Sequence, residues 1–288
     1  MIMTNKTESK DIEPNSLPNF FKKNSLIIFF VLSYLITIIS VVIIYFGTNV
    51  SIDFIFFYIS IWSPTISAMI IAGFIGGWPE IKKLLSGFLK WKVGGFWYFA
   101  GFFLMIGPLV FTGFYLLLGG EAPGNPGLTG GLIFITLIST IINGPLSEEV
   151  GWRGFALPRL ESRFGSLISS LILGIIWACW HIPFYFIEPR MPFYIFIILV
   201  LVITILMTWA YNSTNGSLLI TVIFHFSFNF NGAFITGILG LLPMTIFYIG
   251  GSVMIGIYVI VVIIFAGPSK LSKKPDTEMP FDIDKRTN

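Results

Sequence analysis

Eight long apolar runs constrain this chain more than any other feature. Hydrocarbon offers no partner to a backbone N–H or C=O, so a spanning run of about 20 apolar residues must satisfy its own hydrogen bonds as a helix. The runs lie near Ser25–Phe46, Phe54–Phe74, Gly95–Leu118, Leu128–Leu157, Ser166–Phe186, Phe193–Tyr211, Leu218–Ile238 and Leu241–Phe265. Only 11% of the 288 residues are charged and 55% are hydrophobic, against about 25% charged in soluble domains. The expected fold is therefore all-α, a polytopic membrane protein of about eight transmembrane helices. The apolar body covers residues 25–267. Polar tails, 1–24 and 268–288, flank it and are expected to be flexible. A polar stretch precedes the first run, so a cleaved signal peptide is not expected. The fourth run is the least regular, because it must accommodate Pro145, Glu148 and Glu149.

The basic residues set an orientation. With the N-terminus in the cytoplasm, the inner segments carry Lys6, Lys10, Lys22 and Lys23, then Lys82, Lys83, Lys90 and Lys92. They also carry Arg153, Arg159 and Arg163, then Lys270, Lys273, Lys274, Lys285 and Arg286. Of the 17 Lys and Arg, Arg190 alone falls outside. This is the positive-inside pattern, with both termini cytoplasmic in the cell membrane. The net charge of +3 follows from that topology, and nucleic acid is not an expected partner. The single cysteine, Cys179, excludes an internal disulfide. Trp62, Trp78, Trp91 and Trp97 stand near span ends as interfacial anchors. Gly73 and Gly77 have the spacing of a close helix contact.

Ionisable groups inside spans are costly, and here they are few: Glu148, Glu149, Arg153, His181 and His225. Adjacent residues on a helix point about 100° apart, while residues four apart share a face. Glu149 and Arg153 are i,i+4 in the favourable order for an ion pair, so Glu149 is expected to be held ionised and structural. Glu148 lacks a local basic partner, which suits a general base. His225 and Asn229 are also i,i+4, so an imidazole and an amide could donate to one developing oxyanion. Asn231 falls on another face. His181 precedes Pro183, where the helix is expected to kink or end, and Trp177 lies one turn before it as a wall. A carboxylate base, two imidazoles and an amide donor suffice for water-mediated amide hydrolysis. No G-x-S-x-G or H-E-x-x-H motif is present. A divalent metal such as zinc is not required, but Glu148, His181 and His225 are the side chains that would bind it.

Glu148-Glu149-x-x-x-Arg153, Trp177-x-x-x-His181 and His225-x-x-x-Asn229, in that order on separate helices, resemble the motifs of the CPBP family of CAAX proteases and bacteriocin-processing proteins, also called Abi. The resemblance implies an intramembrane endopeptidase in which Glu148 and His181 activate water while His225 and Asn229 form the oxyanion hole. Its substrate would be a peptide or membrane-associated protein, cut in a cavity reached from the cytoplasmic side. The second motif often starts with Phe in that family; Trp177 replaces it here, a change of pocket shape. Two readings from other classes compete: a non-catalytic immunity or peptide-binding protein, and an ion or proton pathway. A pathway would spread charges over several spans, whereas these cluster. Depth raises a difficulty, because at 1.5 Å per residue His181 would lie about 22 Å from the inner side, His225 about 12 Å and Glu148 about 14 Å.

Overall fold

The computed structural model describes residues 17–122, 124, 129–188, 191–232 and 244–281, and all regular structure among them is helical. Of the charges used for topology, Lys6, Lys10, Arg190, Lys285 and Arg286 lie outside the described residues. So do the ends of the seventh and eighth expected spans that face one another, 233–238 and 241–243. Among the described residues six helices are long and apolar enough to cross a membrane, and a bent pair passes the same test when its two helices are taken together. The protein is an all-α polytopic membrane protein.

Helix α1, Leu17–Phe46, shows how these helices divide lipid from core. Ile27, Val31, Leu35, Ile38 and Val42 recur every three to four residues on an exposed face. Leu26, Phe29, Ser33, Thr37 and Val41 form the buried face. In water such an apolar stripe would promote association; against acyl chains it is the required surface.

The second expected span is corrected. It consists of α2, Val50–Ile61, and α3, Ser63–Gly76, bent by 61°. Asn49 caps α2 by accepting from the Ser51 and Ile52 N–H groups. Pro64 causes the bend. It has no N–H to give the Ser60 carbonyl four residues back, and its ring clashes there. Thr37 Oγ1 of α1 donates to Ser33 O at 3.0 Å and lies 3.3 Å from Ser60 O and 2.7 Å from Ser63 Oγ, so it packs a polar group against the bend.

Helix α4, Trp78–Leu85, follows a turn at Gly77, whose φ of 66° favours glycine. Helix α5, Gly95–Leu117, packs on α11, Leu218–Asn231. The fourth expected span corresponds to Gly130–Glu161 and is irregular, as Pro145 and the glutamates predict. Helix α6, Gly130–Ile141, breaks at Asn143 and Gly144 before α7, Ser147–Glu149. The chain then widens to π-type bonding over Val150–Ala156 and closes with α8, Leu157–Glu161. Helix α9, Ser166–Trp180, ends at His181, as Pro183 predicts, and leads into a 3₁₀ turn, Ile182–Phe186. Helix α10, Phe193–Ser213, is the central post, buried almost throughout Ile203–Ser213, and it packs on α9, α11 and α12, Met244–Ala266.

The C-terminal tail departs from the flexible segment expected. After Gly267 it folds back, and the Ser269 and Pro268 carbonyls accept from the Ser166 and Leu167 N–H groups at 2.8 and 3.0 Å. Those two amides open α9, where a helix has no internal acceptors. Asn212 Nδ2 donates to Lys270 O at 2.8 Å and to Glu161 Oε1 at 2.7 Å. Leu271, Met279 and Phe281 are buried.

Candidate active site

The break between α6 and α7 builds the site. Pro145 cannot donate a backbone hydrogen bond and disfavours helix in the residue before it. Asn143 (φ −90°, ψ 44°) and Gly144 (φ 167°, ψ −79°) accordingly leave helical space. Ser147 then holds the Gly144 carbonyl with its N–H and, at 3.1 Å, with its hydroxyl. Glu148 and Glu149 follow at once, before the π-type turn. Turns of this kind are frequent at functional sites.

Both glutamates are buried, and they have different partners. Glu148 Oε2 accepts from Trp177 Nε1 at 2.5 Å and from Trp152 Nε1 at 3.3 Å. Arg153 Nη1 donates to Glu149 Oε1 at 2.9 Å, the i,i+4 pair the spacing predicts. With Glu149 and Arg153 both at 0% exposure, that pair is removed from solvent screening. His225 Nδ1 lies 2.8 Å from the same Glu149 oxygen. Helix faces alone would place Glu149 away from the chemistry. The fold instead joins it to His225, a contact between residues 76 positions apart.

Trp177 links the three motif elements. Besides its bond to Glu148, its ring lies edge-on to His225 at 5.1 Å and 4.2 Å beneath the Arg153 guanidinium. His181 Nδ1 is 2.8 Å from Trp177 O. Phe196 lies edge-on to the His181 ring, 4.8 Å away. Trp177, one turn before His181, touches both Glu148 and His225, so α9 meets the motif helix and α11 at the level of Trp177.

Gly144 shows how the remaining groups converge. A side-chain carbon built on it would lie 3.0 Å from Asn229 Nδ2, 3.4 Å from His225 Nε2 and 3.6 Å from Glu148 Oε1. Three chemically distinct polar ends, from α7 and α11, thus face one point. Asn231, set aside in the sequence, donates instead to Leu104 O and ties α11 to α5. The indole donors to Glu148 were not anticipated. The i,i+4 spacing of Trp152 carries that signal; the spacing of Trp177, 29 residues away, does not.

The metal set open in the sequence was Glu148, His181 and His225. Here His225 directs Nδ1 to Glu149 and His181 directs Nδ1 to a carbonyl, and no three His, Cys, Asp or Glu among the described residues are grouped as metal ligands.

A cavity of about 270 Å³ lies beside the motif helix and is lined in part by Lys83, Lys90, Gly154, Arg159, Tyr211 and Leu218. Lys90 Nζ donates to Asn215 O at 2.6 Å, and burial pulls its pKa down.

Residues 130–231 match the family model described as Type II CAAX prenyl endopeptidase Rce1-like. Over 108 residues the chain is 30% identical to a protein of Methanococcus maripaludis named CAAX prenyl protease 2, a match covering 34% of this chain and 40% of that protein. The matched segment contains the helix break and all three motifs.

Proposed function

We propose, from the likeness of residues 130–231 to the Rce1-like family model and of the three motifs to the CPBP family, that this chain is an intramembrane endopeptidase using a glutamate and a histidine to activate water. The convergence of Glu148 Oε1, His225 Nε2 and Asn229 Nδ2 on one point at Gly144 carries this reading. Amide hydrolysis needs a base for water and donors for the oxygen that becomes negative, within reach of one carbonyl. Glu148 takes a proton as the water oxygen bonds to the carbonyl carbon and the C=O electron pair moves to oxygen. Asn229 and His225 donate to that oxyanion. With its Nδ1–H given to Glu149, His225 donates from Nε2 as the imidazolium. Collapse of the intermediate restores C=O, breaks C–N and passes the proton from Glu148 to the departing amine. His181, at the end of α9, orients the water and assists the proton transfer.

The substrate class proposed is a prenylated C-terminal CAAX peptide, reached from the cytoplasmic side where the basic loops lie. The test compares wild type with Glu148→Gln on prenylated and unprenylated peptides, with products read by mass spectrometry. Cleavage by wild type and a loss of at least about 10³-fold in the variant are expected, because the base is removed. Equal cleavage by both proteins sinks the assignment. Activity in chelator is expected to match that without it.

A further inference from the structure

We propose that three adjoining cavities at one end of the bundle form a single site for an anionic phospholipid, its phosphate among lysines and an acyl chain in an aromatic groove. The first cavity, of about 620 Å³, lies at the loop before α5 and is lined in part by Lys90, Lys92 and Asn215. The second, of about 400 Å³, shares Trp97, Ser213 and Lys274 with the first. The third, of about 240 Å³, shares Phe96, Trp209 and Phe265 with the second. Together they run from that loop, past the returning C-terminal segment, to the face where α5, α10 and α12 meet.

The polar end has an excess of positive charge: Lys90, Lys92, Lys273 and Lys274 line it against one carboxylate, Glu278. Lys274 Nζ donates to Glu278 Oε2 at 2.9 Å, and Lys90 Nζ is bonded to Asn215 O. Lys92 and Lys273 rest on rings instead, 5.1 Å from the centre of Trp91 and 5.3 Å from that of Phe265. A ring face holds an ammonium without cancelling its charge, and basic pockets at the ends of membrane helices bind lipid headgroups. The other end is apolar. Ala100, Trp209 and Val262 are its buried floor, and Phe96, Phe99 and Phe103 of α5 and Val261 and Phe265 of α12 are its exposed walls. Phe96, Phe99 and Phe103 share one face of α5, and from first to last they cover about 10 Å at 1.5 Å per residue. Phe265 lies under Lys273 and also lines the groove, so positive charge sits where a headgroup would meet its chain. A small soluble anion has no use for the groove, and an uncharged prenyl chain has none for the lysines. The tail supplies Lys273 and Lys274, so a bound lipid would bridge it to α5.

The experiment adds phosphatidylglycerol or phosphatidylcholine with the same chains to full-length protein in detergent and reads retained lipid by native mass spectrometry. Wild type is expected to retain phosphatidylglycerol at least about tenfold over phosphatidylcholine, and Lys92→Glu with Lys273→Glu to bring that ratio within about threefold. Val261→Trp, an exposed wall residue made larger, is expected to lower retention of phosphatidylglycerol at least about fivefold with the lysines intact. Hydrogen exchange gives a second readout: phosphatidylglycerol should slow the Lys274, Glu278 and Met279 amides of the tail in wild type and not in the lysine variant. Equal retention of the two lipids by wild type marks ordinary lipid solvation and overturns the proposal. So does a preference undiminished in the lysine variant. Displacement of phosphatidylglycerol by an equal concentration of inorganic phosphate overturns it in favour of a soluble-anion site, and displacement by farnesol in favour of a prenyl groove.

Discussion

Glu149 illustrates how one buried side chain can do two things. Its Oε1 binds Arg153 and His225 together, so it compensates a buried cation and aims an imidazole. Removing one member of a buried pair leaves the other uncompensated, at about 3–5 kcal/mol. Glu149→Ala is therefore expected to lower the thermal midpoint markedly, whereas Glu148→Gln, which keeps shape and an oxygen acceptor for Trp177, should unfold close to wild type. Thermal unfolding in detergent distinguishes them, and equal midpoints for Glu149→Ala and wild type would remove the structural role. Trp177 gives a finer test. Trp177→Phe keeps an aromatic ring against His225 but deletes the donor 2.5 Å from Glu148. Hydrogen bonds to charged groups contribute about 1.5–3 kcal/mol, so kcat should fall about tenfold or more. An unchanged kcat would show that Glu148 needs no such orientation.

At the scale of elements, the site depends on two irregularities. The break at Asn143–Gly144 turns the chain so that α7 begins under His225 and Asn229, and the π-type turn brings Gly151 against α3. A side-chain carbon on Gly151 would lie 2.5 Å from the Pro64 carbonyl oxygen and 2.6 Å from its carbon. These are backbone atoms at the bend of a broken span and have little freedom to yield. Gly151→Ala is expected to cost about 1–3 kcal/mol through overpacking and to reduce activity by displacing the motif helix. A side-chain carbon on Gly144 meets only side-chain ends, the nearest Asn229 Nδ2 at 3.0 Å, so Gly144→Ala should cost less stability than Gly151→Ala. Equal loss of stability in the two variants would contradict this distinction between a backbone contact and a side-chain contact.

Across the whole molecule, α10 and the docked C-terminal segment join distant parts of the chain. Asn212, near the C-terminal end of α10, donates from Nδ2 to Glu161 and to Lys270 O, and that nitrogen lies 3.2 Å from Ser166 Oγ. It thereby connects the end of the motif helix, the start of α9 and the returning tail. Asn212→Leu leaves those acceptors without this donor. Hydrogen exchange should show the Ser166 and Leu167 amides, which bond to tail carbonyls, losing protection by at least about tenfold. Unchanged protection would mean that the apolar anchors Leu271, Met279 and Phe281 hold the tail unaided.

Long apolar runs alone determined the all-α membrane class and the approximate place of the candidate spans among the described residues, because a bilayer permits so few backbone solutions. Local spacing likewise determined the Glu149–Arg153 pair and the end of α9 before Pro183, both within one helical turn. Tertiary structure decided the rest. At the bend before Pro64, Thr37 of another helix lies against Ser60 and Ser63. Glu149 faces His225, and Trp177 reaches Glu148, through contacts 76 and 29 positions apart. The tail looked flexible because its own composition is polar, but its carbonyls find the unsatisfied amides that open α9. Hydrogen-bond partners of buried groups are fixed by which helices meet, and no spacing within a single helix contains that information.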